Sequence, residues 1–523
     1  MNDLAALTNE PLIHFDWARG QAGTREFDYG AGGIPYEAYI GRIVESWKIP
    51  EIGIWIFKIR QGVHFALNPA SEASRLVNGR ELTADDIVWN VRLYHTDPTY
   101  PNSATRVSYP AMAKAVQIDK TGPVEVTLKA PVDTWTAFFW ILFGGCAQRI
   151  YAPEVVQKYG GITDWRNVVG TGPFMFTDFV SQSVATFKRH PNYYLKDPVG
   201  PGKGNQVPYI DTLKYLAVPD LSTRLAVMRT GKADWIADIQ SEDARGLIRT
   251  NPQLQYKRRL AQAPVIYMRQ DKPDLPFKDV RVRQALMMVT DYEALSRDLY
   301  RGDAEILTWP VNSAYKGTLY TPMEEQPEAV QALYKHNTEG AKQLLATAGY
   351  PNGFKTKMII QNRSEDLDRA QALKAMWDKA GVDLELQPKE TAIYLSINGG
   401  VTYEEMYLNT STTSVVSLVN LFDISPLRTV KYKIMDPVAV KAYDDMQKHI
   451  FIDMPGAYEI YRKVVPYVLE KAYVIPLPSA YIYTLWQPWV KNHYGEGASY
   501  WISMWTPFVW IDQDIKEQMT GRR

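Results

Sequence analysis

The sequence contains a single cysteine, Cys146, in 523 residues. One thiol excludes an intrachain disulfide and a metal cluster held by several thiolates. Cys146 follows an apolar run and two glycines, which favours a small buried thiol over a nucleophile. Cysteine usage does not decide the compartment, because cytosolic proteins and many large exported bacterial proteins both do without disulfides.

An excess of charge of either sign is also lacking, since 58 basic residues balance 58 acidic ones. Without a basic excess to neutralise phosphates, the chain is not expected to bind nucleic acid. Hydrophobic residues make up 46% of the sequence, enough to offset the entropy of ordering, and this excludes intrinsic disorder.

No hydrophobic run is long enough to span a bilayer, since the longest covers only residues 135–147. Residues 1–12 show no basic segment followed by an apolar one, so no signal peptide is visible. We therefore expect a folded protein without a membrane-spanning helix.

Sequence motifs of catalysis are missing as well. We find no Walker A loop, no dinucleotide fingerprint, no HExxH pair and no G-x-S-x-G elbow, and the seven histidines are scattered. The sequence therefore predicts no catalytic residues, no metal site and no cofactor, which favours binding over catalysis. A pair of carboxylates for glycoside hydrolysis stays open, because such residues are distant in the chain.

Aromatic residues are abundant, with 33 Tyr and 15 Trp, and they concentrate in residues 473–511. Prolines and glycines interrupt this segment, which predicts strand and loop. Such rings either stack on a ligand or fill a core.

Local patterns predict several elements. Thr83 followed by Asp86 resembles a capping box at the start of a helix. Residues 279–390 alternate helix and strand patterns, with Asn337 as a possible helix N-cap. This rhythm predicts a mostly parallel sheet covered by helices.

Five segments, in order along nearly the whole chain, resemble one family, the extracytoplasmic solute-binding proteins of ABC importers, family 5 (the peptide, dipeptide and nickel binders). The segments are residues 43–47 (IVESW) with 57–65 and 78–88, 170–174 (GTGPF), 229–234 (RTGKAD), 276–285 (PFKDVRVRQA) and 341–354, ending in AGYPNGF.

The resemblance implies an α/β, two-lobed periplasmic-binding-protein fold of type II, with mixed sheets, flanking helices and the extra third domain of the peptide-binding class. Crossing strands are implied near Tyr267 and Ile475. The implied domains are lobe I (1–41, 151–262 and 473–523), an extra domain (42–150) and lobe II (263–472).

The function implied by the resemblance is capture of a peptide or similar polar solute between two lobes by hinge closure. The solute would be delivered to ABC permease subunits in the membrane. The protein would be a monomer without a cofactor, periplasmic or extracellular and associated with the cell surface. Two alternatives remain open: a glycan-active hydrolase, and a receptor for protein surfaces that uses the same aromatic cleft.

Three departures from the family pattern stand out. The family has an export signal and an opening strand before the point where this sequence begins, so we expect that the first few dozen residues are missing. Residues 66–77 are an insertion, expected to form a surface loop. The family's acidic residue that pairs with a peptide amino terminus is matched at about Thr413, whose neutral hydroxyl favours neutral solutes such as sugars or amides over free amines. A polar turn without a ligand is the alternative interpretation of this segment.

Candidate ligand-binding residues follow from the resemblance and from this hydroxyl-rich segment. For the aromatic ones, core packing is the alternative interpretation. The predicted residues are Tyr267, Thr410, Ser411, Thr413, Trp486 and Trp505.

Overall fold

The computed structural model describes residues 4–30, 34–93, 115–132, 135, 149–161, 164–411, 436–497 and 502–523. They form two compact units, which we call unit 1 (Met1–Arg259 with Ile482–Arg523) and unit 2 (Leu260–Tyr481). The predicted extra domain, 42–150, falls inside unit 1, and its separate existence stays a prediction. Cys146 and Thr413 lie outside the described residues.

Twenty strands are present in the described residues. They are β1 Ile13–Phe15, β2 Tyr39–Gly41, β3 Val44–Glu51, β4 Ile54–Ile59, β5 Gln117–Gly122, β6 Glu125–Lys129, β7 Phe174–Val180, β8 Val184–Arg189, β9 Thr212–Leu216, β10 Trp235–Gln240, β11 Gln255–Leu260, β12 Ala263–Met268, β13 Ala304–Glu305, β14 Phe354–Gln361, β15 Val382–Lys389, β16 Met406–Ser411, β17 Val474–Pro476, β18 Ser479–Trp486, β19 Val490–Lys491 and β20 Trp510–Ile511.

The described residues also form fifteen α-helices. They are α1 Glu72–Val77, α2 Ala84–Val91, α3 Pro153–Tyr159, α4 Leu221–Arg229, α5 Ser241–Thr250, α6 Val280–Val289, α7 Tyr292–Tyr300, α8 Glu328–Tyr334, α9 Thr338–Thr347, α10 Ser364–Asp378, α11 Thr391–Gly400, α12 Pro437–Gln447, α13 Met454–Glu470, α14 Ile502–Trp505 and α15 Gln513–Thr520. Within this part of the chain, none is long and apolar enough to cross a membrane.

Unit 1 is built on small antiparallel sheets. One has the strand order β3-β4-β6-β5 and another the order β7-β8-β9. β10 pairs with residues 482–486 of β18, and two further pairs join β1 to β2 and β19 to β20. The predicted helix start at Thr83 is confirmed, because Asp86 Oδ2 accepts the Thr83 backbone N–H at 2.8 Å.

The prediction of a surface loop at residues 66–77 is wrong, since the second half of this segment is helix α1. Ser71 caps this helix by accepting the Ser74 backbone N–H at 3.2 Å, and Asn78 ends it in the left-handed conformation. Ala73, Ser74 and Val77 are buried. A capped amphipathic segment such as this one packs against the protein as a helix, because burial of its apolar side chains lowers the free energy.

Unit 2 is organised around a five-stranded sheet of order β15-β14-β16-β12-β17. β14 pairs in parallel with β15 and β16, as the alternation of helix and strand predicted. β12 runs antiparallel to β16 and to β17, so the sheet as a whole is mixed. The strands predicted near Tyr267 and Ile475 are present and paired, since Ile266 lies opposite Ile475. Their passage between two lobes stays a prediction.

Helix and turn signals in unit 2 also match the predicted elements. Asn337 Oδ1 accepts the Gly340 backbone N–H at 2.9 Å at the start of α9. The turns that lead into β14 and β15 meet closely, because a β-carbon added to Gly353 would lie 1.9 Å from the carbonyl oxygen of Gly381. Both glycines also have positive φ, +74° and +82°, so glycine is required at this crossing.

Candidate functional site

The carboxyl ends of the parallel strands in unit 2 meet along one edge of the sheet, which we call the carboxyl edge. Gln361, at the end of β14, lies opposite Lys389, at the end of β15. Ser411, at the end of β16, lies opposite Ala263, where the antiparallel β12 begins. In open α/β sheets, ligands bind in the crevice outside the carboxyl ends of the strands, so this edge is a candidate ligand-binding site.

Polar side chains line the carboxyl edge where β14 and β15 end. The Gln361 amide donates a hydrogen bond to Thr391 Oγ1 at 3.1 Å, and the Asn362 amide donates to Glu390 Oε1 at 3.1 Å. These side chains are exposed or half-buried. They hold each other in fixed positions while leaving further donors and acceptors for a solute.

Helix α11 is fastened to β16 beside this edge. The Tyr394 hydroxyl donates to the carbonyl of Leu408 at 2.9 Å and to Asn409 Oδ1 at 3.0 Å. The rings of Tyr394 and Tyr407 stack with centroids 4.9 Å apart. Burial raises the pKa of both phenols, so they act as neutral hydrogen-bonding groups.

The predicted residues Thr410 and Ser411 lie on the carboxyl edge, and both are half-buried. Thr410 Oγ1 donates to Gln262 Oε1 at 3.0 Å. Gln262 is exposed and immediately precedes β12. The structure therefore brings these hydroxyls and the start of the crossing strand together, and their contact with a ligand stays a prediction, as does that of Thr413.

Tyr267 lies in the interior of the sheet. It is fully buried and sits opposite Tyr407 on one side and Val474 on the other. It lies four residue steps along the strand from Ala263, a path of about 13 Å. The structure does not bring it to the carboxyl edge with Thr410, and its role in ligand binding stays a prediction.

Trp486 and Trp505 belong to unit 1, where both are buried in its hydrophobic core. Both pack against the imidazole of His493, with ring centroids 4.8 Å and 4.5 Å away. The Trp486 indole N–H donates to Gln255 Oε1 at 2.8 Å, and that of Trp505 donates to the Gly497 carbonyl at 3.2 Å. These satisfied, buried rings stabilise the fold, and ligand stacking by them stays a prediction.

Glu305 marks a polar cluster that the sequence reasoning missed. Its Oε1 accepts hydrogen bonds from Ser313 Oγ at 2.8 Å and from the Tyr481 hydroxyl. The pKa of Tyr320 is raised to about 12, mainly by burial and next by the negative charge of Glu305. The only hint in the sequence was that Glu305 is the single acidic residue between Asp303 and Glu324. Its partner Tyr481 could not be inferred, because it is far away in the chain.

The Glu305 cluster lies just beyond the carboxyl edge. Glu305 is the strand partner of Ser479, which follows β17 by three residues. Ser479 Oγ donates to the carbonyl of Ala261 at 2.9 Å, two residues before β12. The cluster and the Thr410–Gln262 pair therefore flank the same short stretch, 261–263.

A concavity of about 730 Å³ lies at the opposite end of the unit 2 sheet, where β14, β15 and β16 begin. Four of its charged side chains pair across β14 and β15, since Lys355 Nζ lies 3.4 Å from Asp383 Oδ2 and Lys357 Nζ lies 4.0 Å from Glu385 Oε2. Cross-strand pairs of this kind stabilise an exposed sheet face, so they do not need a ligand as counterion.

No group of three or more His, Cys, Asp or Glu side chains suited to hold a metal ion occurs within the described part of the chain. The carboxyl edge and the neighbouring Glu305 cluster present amide, hydroxyl and carboxylate groups. These groups can form hydrogen bonds with a polar solute.

Comparison with known proteins identifies the family. The family model for bacterial extracellular solute-binding proteins, family 5, middle region, matches residues 38–416. Heme-binding protein A of Haemophilus influenzae is 28% identical over 355 residues, covering 65% of this chain and 60% of that protein. Glutathione-binding protein GsiB of Escherichia coli K12 is 28% identical over 346 residues, covering 65% of this chain and 59% of that protein. The aligned part of this chain thus spans about 60% of the length of these relatives.

Solved structures show the same fold at low sequence identity. AgaA of the A. tumefaciens strain R10, in complex with agropinic acid, has a TM-score of 0.73 at 18% identity, covering 98% of this chain and 94% of that one. DppA of Helicobacter pylori, in complex with the peptide STSA, has a TM-score of 0.73 at 18% identity, covering 97% and 92%.

These neighbours are periplasmic binding proteins, and the predicted two-lobed type II fold of the peptide-binding class is confirmed. Because the family model covers most of the sequence, the predicted family is confirmed as well. This chain belongs to the bacterial extracellular solute-binding proteins, family 5.

Proposed function

We propose that this protein is the solute-binding component of an ABC import system and that it captures a peptide or a similar small polar solute. The observation that carries the proposal is the carboxyl edge of unit 2, where β14, β15, β16 and the start of β12 present hydrogen-bonding side chains together. Family membership supports this function, since the relatives are named as binding proteins for heme, glutathione and peptides.

The proposal includes a partner and a compartment. The protein would hand its solute to ABC permease subunits in a membrane, work as a monomer in the periplasm or outside the cell, and act without catalysis. The family description, extracellular solute-binding proteins, supports the compartment. Closure of two lobes on the solute, which the family resemblance implies, stays a prediction.

A thermal-shift screen tests the function. Purified protein is heated alone and with di- to pentapeptides, glutathione, haem and malto-oligosaccharides. A ligand that binds only the folded state, present at one hundred times its dissociation constant, adds about 2.7 kcal/mol of stability. We expect a rise in melting temperature with at least one peptide-like solute. Hydrolysis of an oligosaccharide without a shift for any solute would contradict the proposal.

A further inference from the structure

We propose that the carboxylate of Glu305 binds the cationic group of the solute. This inference rests on the proposed function and deepens it, because it names the class of solute as one that carries an ammonium group. It differs from the expectation based on Thr413, which favours neutral solutes.

Two neutral hydroxyls hold the Glu305 carboxylate, and no basic side chain among the described residues forms an ion pair with it. Ser313 Oγ at 2.8 Å and the Tyr481 hydroxyl both bind Oε1. Both contacts of this carboxylate found in the described part of the chain come from hydroxyl groups, and neither comes from Lys, Arg or His. The residue is half-buried, so its charge is partly removed from water. A carboxylate in this state gains from a cation, because the hydroxyls orient it without cancelling its charge.

Glu305 lies close to the carboxyl edge of the unit 2 sheet. It lies opposite Ser479, whose hydroxyl contacts the backbone of Ala261, while Gln262, the next residue, accepts the Thr410 hydroxyl. A solute bound at this edge through its amide groups would therefore reach Glu305 with a charged end. The half-buried rings of Tyr320 and Tyr481 provide aromatic surface beside the carboxylate, which suits an ammonium group.

Calorimetric titration with three probes tests the inference: tri-alanine, N-acetyl-tri-alanine, and the N-acetylated peptide Ala-Lys-Ala. A charge-assisted hydrogen bond contributes enough that we expect the peptides with an ammonium group to bind about 10- to 100-fold more tightly than N-acetyl-tri-alanine. Comparison of the two charged probes tells whether the terminal amine or the lysine side chain is recognised.

Variants then assign the preference to Glu305. Glu305→Gln should abolish the difference between charged and neutral probes, whereas the matched control Glu325→Gln, an exposed glutamate of the same unit, should keep it. If Glu305→Gln does not fold, Tyr481→Phe decides, because loss of the orienting hydroxyl should reduce the preference several-fold.

The outcomes separate the two proposals. Equal binding of charged and neutral peptides by the native protein, or an unchanged preference in Glu305→Gln or in a folded Tyr481→Phe, overturns the role of Glu305 and leaves peptide binding intact. No binding of any probe to the folded native protein contradicts peptide binding itself and removes the inference with it.

Discussion

The guanidinium of Arg283 donates a hydrogen bond to the backbone carbonyl of Lys471 at 2.8 Å. It also donates to the carbonyls of Ala472 at 3.0 Å and Phe277 at 2.7 Å. Arg283 is buried in α6, and these bonds fasten the residues after α13 to the turn that precedes α6. Burial lowers the pKa of Arg283 to about 10, which still leaves it charged at neutral pH.

Replacing Arg283 by methionine should therefore destabilise the protein strongly. Arg283→Met leaves several buried carbonyls without a donor, and we expect the free energy of unfolding to fall by about 3 kcal/mol in urea titrations. The neighbouring Arg281 is exposed and pairs with Asp279 at the surface, so Arg281→Met should cost less than about 1 kcal/mol. Equal losses for the two variants would refute the role assigned to Arg283.

A buried ion pair in unit 1 predicts a dependence of stability on pH. Glu10 lies 3.0 Å from Arg42 Nε and accepts the Tyr193 hydroxyl at 2.5 Å. Burial raises the pKa of Glu10 above its usual value of 4.5, despite Arg42 and the tyrosines. Its stabilising contribution is therefore fully present below the unfolded pKa and is lost as the pH rises through the raised folded pKa.

Unfolding of Glu10→Gln, compared with the native protein between about pH 4 and pH 7, measures this contribution. The difference in unfolding free energy, native minus variant, should decrease with rising pH. The control is Glu26→Gln, because a hydrogen bond from Arg19 lowers the pKa of the exposed Glu26 and predicts a trend of the opposite sign. If the difference in unfolding free energy for Glu10→Gln is constant or grows with pH, the pKa of Glu10 is not raised in the folded protein.

Thr410 should contribute directly to solute affinity. Thr410→Val removes a hydroxyl from the carboxyl edge at nearly constant volume, and we expect the dissociation constant of the solute found by thermal shift to increase about 3- to 10-fold. The control Thr347→Val changes an exposed threonine at the end of α9 and should leave affinity unchanged. Native affinity in Thr410→Val would remove Thr410 from the binding site.

Trp505 should contribute to stability through the core of unit 1. Its ring is buried, 2% exposed, and meets Trp235 edge-on at 5.2 Å. Trp505→Ala should lower the free energy of unfolding by about 3–5 kcal/mol, because it removes a large buried side chain. Trp510 is 40% exposed, so Trp510→Ala should cost about 1 kcal/mol or less. A near-neutral effect of Trp505→Ala in urea unfolding would contradict the core assignment.

Local signals in the sequence predicted the elements well where capping and periodicity agreed. Thr83, whose backbone N–H is bound by Asp86, and Asn337 both begin helices where the pattern placed a start. The alternation of helix and strand patterns predicted in residues 279–390 includes strands β14 and β15, with helix α10 between them. These signals act over a few residues, so they can be recognised without knowledge of the rest of the chain.

The polar surroundings of the candidate site were harder to predict. Tyr481 reaches Glu305 and Gln262 reaches Thr410 across 176 and 148 residues. Such contacts depend on which strands pair and in which register, and a shift of one residue would point each side chain to the other face of its sheet. Residues 66–77 were predicted to be a loop because they were interpreted as an insertion, although the local cap at Ser71 begins helix α1 in their second half.

The sequence alone determined the family, the helix starts at Thr83 and Asn337 and the parallel arrangement of β14 and β15, because each rests on a local pattern or a recognisable motif. Only the tertiary structure decided that Tyr267, Trp486 and Trp505 are buried. It also decided that Glu305 lies beside the carboxyl edge. Burial and the pairing of a charge depend on neighbours that are distant in sequence, and these neighbours come together only when the chain folds.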